Sequence, residues 1–569
     1  MTKDNKTIFN NLSMKLFYML SLYFLSVLVL YTITSLLNIN NILGFIEIIS
    51  IIIPIVYILN KDKSYLLIIL FLLITVCLPY LSGKTLDLTV DGNTYHKTAI
   101  GFIKNGWNPY RESMIDFQKT NNNVVEISED SRVDLWAEHY PKGSWIIAAT
   151  MYQLTGNIES GKALTIILSI MLLIISYNLL RKILDKKWSI IITILLSLNP
   201  ILLSQIFSYY VDGLLGICFI IQLLLLFMID PTKKQNSMIW ISLISIISIL
   251  SNLKFTGLMV SGIISIIFYI YWLISYHKEK QFKNNFKKIT GLCILVYVIA
   301  LFLIGSNSYI KNLIDHHNPL YPVIGEDKVD IITTMEPKSF NNKTKLEKFA
   351  ISLFSETKNV TYESGDPELK APIKMSKREI DELGIPDVRI GGFGPMFALG
   401  MLLSVFIFII GFIILLKHDK KSIKYIIITL LSGVITIALV GESWWARYIP
   451  WFYYLVIGNI IIGIYSSKYL KNKKVLPLIT LLPILVILFN SSIFVKVVFD
   501  ELSIIRSAKT DLNEMKYTNN LKIKLVTPTT YGHLYNLNDK GIKYELVNNI
   551  DKDKARFRYW YKFEEEINE

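Results

Sequence analysis

Leu16-Phe17-Tyr18-Met19-Leu20-Ser21-Leu22-Tyr23-Phe24-Leu25-Ser26-Val27-Leu28-Val29-Leu30-Tyr31-Thr32-Ile33-Thr34-Ser35-Leu36-Leu37 holds no charged side chain. At 1.5 Å per residue a helix of this length crosses a hydrocarbon core about 30 Å thick. The run is longer than the apolar core of a secretory signal and lacks a small-residue cleavage pattern, so it is expected to remain as a first span. Similar runs follow at Ile42–Leu59, Tyr65–Leu81, Lys162–Leu180, Trp188–Leu203, Val211–Ile229, Met238–Leu250 and Phe255–Ile274. The series ends with Ile289–Gly305, Met396–Leu416, Ile423–Val440, Ile449–Tyr465 and Val475–Phe489. The expectation is an all-α polytopic membrane protein with about thirteen transmembrane helices.

Composition agrees with that class. Of 569 residues 52% are hydrophobic and 18% charged, against about 25% charged in ordinary globular domains, and mean hydropathy is +0.44. A cytosolic enzyme, a disordered chain and a secreted disulfide scaffold are excluded. The net charge of +14 is carried by short loops between apolar runs, and no RNA-binding motif accompanies it, so nucleic acid is not an expected partner. Cys77, Cys218 and Cys293 each lie inside an apolar run and provide neither a disulfide framework nor a CxxC site.

Loop charge sets an expected direction. Lys3 and Lys6, Lys61 and Lys63, Arg181 to Lys187, Lys233-Lys234, Lys278 to Lys288, Lys417 to Lys424 and Lys468 to Lys474 all fall on one side if the N-terminus is cytoplasmic. The positive-inside rule then puts the C-terminus outside, in a multi-pass cell-membrane protein. Outer loops 82–161 and 306–395 belong to a transmembrane domain over 1–490, and 491–569 forms a small extracytoplasmic C-terminal domain. Short alternating stretches at Leu521–Val526, Lys543–Val547 and Arg556–Phe563 suggest a small α/β segment there.

Candidate chemistry gathers in the outer turns. Asp91-Gly92 follows a span, with Tyr95-His96 and then Asn105-Gly106-Trp107-Asn108-Pro109-Tyr110 beyond it. A carboxylate at that level can take a proton from an attacking hydroxyl, and Trp107 and Tyr110 offer flat faces to a sugar. The same residues also suit a turn and an interfacial aromatic belt. A short amphipathic helix is expected over Tyr95–Lys104. His139-Tyr140-Pro141-Lys142-Gly143 precedes a helix over Ile146–Leu154 that is too short to span; His139 and Lys142 suit a phosphate or plain solvation.

Tyr210-Val211-Asp212-Gly213 places a carboxylate at the head of a span, facing a cavity or capping the helix. Lys254-Phe255-Thr256-Gly257 offers a cation to a lipid-linked phosphate or a snorkelling side chain. Glu442-Ser443-Trp444-Trp445-Ala446-Arg447-Tyr448 is a very short turn. Its Arg447 is a fork-shaped donor for phosphate or the ion-pair partner of Glu442. His316-His317 lacks a second pair at chelating spacing, so no metal ligands are assigned.

Together with Asn318-Pro319-Leu320-Tyr321-Pro322, these motifs in this order resemble a bacterial branch of the GT-C membrane glycosyltransferases over roughly residues 1–492. The resemblance implies a GT-C-like bundle and transfer of a sugar from a polyprenyl-phosphate donor to an extracytoplasmic glycan, lipid or protein acceptor among membrane lipids. It implies Asp91 as the base of an inverting reaction and Asp212 as a second catalytic residue that orients the acceptor or helps to bind a divalent ion. His96, Trp107, Tyr110, His139, Lys142, Tyr210, Lys254, Glu442 and Arg447 are the expected substrate contacts. A divalent cation, Mg or Mn, is the one cofactor considered, although no Asp-x-Asp motif accompanies Asp91 or Asp212. About three spans precede the first large loop, where the common GT-C arrangement has one. Alternatives are a cell-surface polysaccharide polymerase, which commonly relies on outer-loop arginines, and a lipid-linked-sugar transporter or flippase, which calls for inverted repeats and midplane polar groups.

Overall fold

A computed structural model describes residues 12–566, apart from 40, 122–123, 129–130, 132, 330–333, 385, 519, 527–530 and 552–553. The chain is mostly helical. Among the described residues nine helices are long and apolar enough to cross a membrane. They are α1 (Leu12–Leu36), α2 (Leu43–Lys61), α3 (Tyr65–Ser82), α4 (Ile158–Leu180), α5 (Phe255–Tyr276), α6 (Lys280–Asn307), α7 (Phe397–His418), α8 (Lys420–Leu439) and α9 (Val475–Met515). Their outward faces carry exposed apolar side chains, Phe45, Leu66, Phe406 and Leu482 among them. Such a surface is stable only against lipid.

The four other runs expected as spans form shorter helices, so length and composition do not establish the expected count of about thirteen. The runs at Val211–Ile229, Met238–Leu250 and Ile449–Tyr465 form helices of 17, 15 and 15 residues, Asp212–Met228, Ser237–Ser251 and Phe452–Ser466. Fifteen residues reach only about 22 Å. These helices are wrapped by protein, with Ile217, Cys218, Phe219 and Ile221 fully buried. The run at Trp188–Leu203 breaks into Lys186–Ser197 and Pro200–Ser204. Pro200 cannot continue the first helix. Asn199 caps the second by accepting from the Ile201 N–H, and its amide donates to the Pro450 carbonyl at 3.0 Å.

The hydrophilic segment after α3 folds into the bundle rather than standing off it. A π-turn over Gly92–His96 leads into a helix over Lys97–Lys104, in place of the expected amphipathic helix from Tyr95. Every residue from Lys97 to Ile103 is buried. The short apolar helix expected at Ile146–Leu154 is Gly143–Thr155, likewise buried through most of its length. It packs on α1, α2 and the Lys97–Lys104 helix.

The helix α9 has 41 residues, about 60 Å at 1.5 Å per residue, twice a hydrocarbon core. Its far half carries Lys496, Asp500, Glu501, Arg506, Lys509, Asp511 and Glu514. The division placed at 490/491 thus falls inside one continuous helix. Beyond it comes a four-stranded sheet ordered β2-β1-β4-β3, formed by β1 (Leu521–Leu525), β2 (Tyr544–Leu546), β3 (Ala555–Arg558) and β4 (Phe563–Glu566). Strands β1 and β2 are parallel, which requires a crossover; the helix Tyr531–Asp539 supplies it. The stretch Arg556–Phe563, expected as one strand, turns at Tyr559–Lys562 into the antiparallel β3–β4 pair. Arg558, which pairs with Asp511 and Glu514 of α9 and with Glu565, ties this sheet to the long helix.

Candidate functional site

Four short stretches far apart in sequence meet at one end of the bundle around Arg447. Asp91 stands immediately before the Gly92–His96 π-turn. Asp212 opens the helix Asp212–Met228, and Lys254 is the extended residue just before α5. Arg447 lies in a single 3-10 turn, Ala446–Tyr448. Each charge sits at a helix end because a charge farther along an apolar run lacks both solvent and partners.

Arg447 is shared by three carboxylates. Its Nη2 donates to Asp91 Oδ2 at 3.2 Å and its Nη1 to Asp387 Oδ1 at 2.7 Å. Its Nε lies 3.3 Å from Asp212 Oδ2 but makes no hydrogen bond, so that contact is coulombic. Lys254 Nζ donates to Asp212 Oδ1 at 3.1 Å, and Gln205 Nε2 to Asp212 Oδ2 at 3.3 Å. The guanidinium is stacked among the rings of Tyr210, Trp445 and Tyr448, 4.9, 5.1 and 5.5 Å from their centroids. Lys254 lies 4.2 Å above Tyr448, and Arg389 faces Trp445 at 5.4 Å. Side-chain exposure separates the roles: Asp212 is 2% exposed, Arg447 10%, Lys254 16%, Asp387 23% and Asp91 24%. Asp91 and Asp387 can meet a substrate, whereas Asp212 is sealed beneath them.

Burial works against the charge on Arg447, but Asp212, Asp387 and Asp91 outweigh it and hold the guanidinium charged. Burial pushes Asp387 up to about 6, although Arg447 pulls it down; Asp91 adds to the rise. The folded protein therefore binds this proton more tightly than the unfolded chain. Its contribution to stability is complete below about pH 4 and is lost as pH rises through about 6. Asp387→Asn, which cannot ionise, removes that slope. The melting temperature of the variant relative to the natural protein is expected to climb between pH 5 and pH 7, and a constant difference across that range overturns the assignment.

His96 is buried, and its Nδ1 accepts from the indole N–H of Trp145 at 2.7 Å, which puts the ring proton on Nε2. Burial holds its pKa down at about 3, although Asp212 opposes the shift. It is a neutral donor beside the cluster.

The other expected contacts lie elsewhere. Trp107 is 1% exposed, and its indole donates to the Glu112 carbonyl. It borders a separate cavity of about 140 Å³ with Lys104, Asn108 and Gln153. Tyr110 donates to the Ile304 carbonyl at 2.9 Å and bonds Thr32, anchoring its segment to α1 and α6. His139 pairs with Asn312 at 2.8 Å and stacks edge-on against Tyr321. Lys142 is fully buried, donating to the carbonyls of Glu138 and Tyr140 and to Ser308 Oγ. It is closed to a phosphate because two backbone carbonyls and the Ser308 hydroxyl take its donors. Among the described residues Glu442 makes no ion pair; Arg447 turns to the aspartates instead.

Asp387, Arg389, Trp445, Tyr448 and Gln205 were not read as site residues. Asp387 lies 60 positions from Arg447, and Asp91 lies 356; no local spacing signals either meeting. The residues suit a divalent cation poorly. The three aspartates converge on a guanidinium, and no group of three or more His, Cys, Asp or Glu is arranged to hold an ion among the described residues. No protein-family model matches the chain, and no curated protein does either.

Proposed function

We propose that this chain is a membrane glycosyltransferase that takes a sugar from a polyprenyl-phosphate donor and passes it to a hydroxyl of an extracytoplasmic glycan, lipid or protein. On this reading the N-terminus is cytoplasmic, and the Arg447 cluster and the C-terminal sheet lie outside. The observation that carries it is a largely buried carboxylate–guanidinium–lysine cluster whose Lys254 immediately precedes α5, one wall of an apolar groove. That groove, a cavity of about 550 Å³ between α5 and α6, is bordered by Leu258, Gly262, Ile266 and Trp272 of α5 and by Ile294 and Phe302 of α6. Leu258 is one helical turn below Lys254, and Trp272 lies about 21 Å farther down. A lipid whose phosphate reaches Lys254 has its chain in this groove.

In the transfer, the acceptor oxygen attacks the anomeric carbon while its proton passes to a carboxylate oxygen of Asp91. The bond from that carbon to the lipid phosphate breaks, and its electron pair stays on the phosphate. Lys254 stabilises the charge that develops there, and Arg447 holds Asp91 and Asp212 in register. Among the described residues the buried N–H groups of Arg447 Nε, Arg389 Nε and Trp445 Nε1 have no acceptor. They are further donors for an oxygen-rich substrate. Position also argues against a transporter, because the charges cluster at helix ends rather than along the spans.

The test uses purified protein in liposomes with a panel of polyprenyl-phosphate sugars and acceptor-containing membrane extract. Transfer by the natural protein is expected; a panel without transfer removes the reading. A Cβ added at Gly262 meets no atom within 4 Å, so the side chain of Gly262→Trp can leave the backbone freely and put an indole into the groove. The donor KM is expected to rise at least tenfold with kcat little changed, whereas a short-chain donor analogue is used as before. An unchanged KM for the long-chain donor removes the groove from the substrate site.

A further inference from the structure

The C-terminal sheet and its crossover helix carry no candidate chemistry of their own, yet they are seated on the turn that bears Asp91. Gly532, in the helix Tyr531–Asp539, lies so close that an added Cβ would fall 2.6 Å from Asn93 Cα and 2.9 Å from its carbonyl oxygen. Gly101 meets Tyr535 of the same helix as closely. Only glycine at 532 lets its backbone approach that of Asn93, and Gly101 leaves room for the Tyr535 ring.

A buried polar network runs through the contact. Lys97 Nζ, fully buried, pairs with Glu159 Oε1 at 2.5 Å and donates to Asn536 Oδ1 at 3.0 Å and to the Asp87 carbonyl at 2.9 Å. Asn536 Nδ2 donates to Glu159 Oε1 at 2.8 Å. Glu159 Oε2 takes Lys162 at 2.8 Å and the Asp87 N–H at 3.0 Å. Asn93 Nδ2 closes the loop on the carbonyls of Asp87 and Thr89. Asp87 Oδ2 accepts from the N–H of Tyr209, next to Tyr210. Asp91 is thus flanked four residues before by Asp87, held through Glu159 and Tyr209, and two after by Asn93, whose Nδ2 is committed and whose backbone packs against Gly532. Two outer anchors hold the helix: Asp539 accepts from Tyr152 and from the Ile158 N–H, and Tyr531 accepts from the Ser128 N–H.

We propose that this C-terminal module is a positioning element of the Arg447 site, with Gly532 and Asn536 as the residues through which it holds Asp91. The module rests on the transferase reading only for the reaction it serves. A displacement of about 1 Å at a reacting group costs on the order of 100-fold in rate, so pressure on this turn acts on turnover before it acts on substrate binding.

The test compares Gly532→Ala, Asn536→Ala and the exposed-site control Lys540→Ala in the full-length protein. The first readout is transfer kcat against donor KM. The second needs no substrate: the maleimide labelling rate of Asp91→Cys, in a background with Cys77, Cys218 and Cys293 changed to serine. Both module variants are expected to lower kcat at least tenfold with donor KM within twofold, and to change the labelling rate at least fivefold, with Lys540→Ala unchanged in both. Unaltered labelling and kcat overturn the proposal. So does loss of monodisperse protein in both module variants, which assigns the module to folding alone. Altered labelling in a protein that transfers no sugar supports the positioning role and removes the transferase reading instead.

Discussion

Asp91→Asn lowers transfer from a polyprenyl-phosphate sugar by about 1,000-fold, within the range a positioned base contributes, while the melting temperature moves by no more than a few degrees. The asymmetry follows from geometry. An asparagine oxygen at the same place still accepts from Arg447 Nη2, now 3.2 Å from Asp91 Oδ2, and the side chain is 24% exposed, so little is left unpaired. What disappears is the capacity to take the acceptor proton. Donor KM should hardly change, because Asp91 acts on the acceptor. Equal turnover in the natural protein and the variant removes Asp91 from the chemistry, and a large fall in melting temperature reassigns it to holding the site together.

Arg447→Met is the change with the largest structural effect. It strips three carboxylates of their shared partner, and one of them, Asp212, is 2% exposed. Breaking a buried ion pair by removing one member costs about 3–5 kcal/mol. Lys254 still holds Asp212 Oδ1, which limits the loss. We expect a fall of several degrees in melting temperature together with loss of transfer. Arg447→Lys separates the two effects: an ammonium keeps the charge but cannot reach three carboxylates in one plane as the guanidinium does. Its stability should recover in part while kcat stays at least 100-fold down. A lysine variant with full turnover would show that charge alone, and not the fork, is what the site needs.

Much of this arrangement was legible beforehand, for reasons specific to each part. A hydrocarbon core has one thickness, so uninterrupted apolar runs such as Leu16–Leu37 declare themselves, and α1, α4 and α7 lie close to where they were expected. Helices wrapped by protein obey no such length rule. The 15-residue Ser237–Ser251 is buried among other helices and falls below the length at which a span declares itself. Asp91, Asp212, Lys254 and Arg447 were readable because a charge at the end of an apolar run is costly to keep and so stands out. Trp107 and Lys142 stood out by the same kind of signal but face inward, Lys142 with its donors on backbone carbonyls.

Asp387 had no such mark. It lies in a long polar segment full of other carboxylates, and nothing about its neighbours distinguishes it. Glu159, Lys97 and Asn536 were equally silent, because their meaning lies in one another: two opposite charges and an amide share a dry site only once α4, the Lys97–Lys104 helix and the C-terminal crossover have met. Residue hydrophobicity and charge are properties of the chain, and they settled the solvent this protein lives in, the approximate places of its longest helices and the helix ends where charge gathers. Which charges become partners depends on distance in space, and pairing energy falls off within a few ångströms. That short range is why the three-carboxylate grip on Arg447 and the clamp on the Asp91 turn came from the tertiary structure alone.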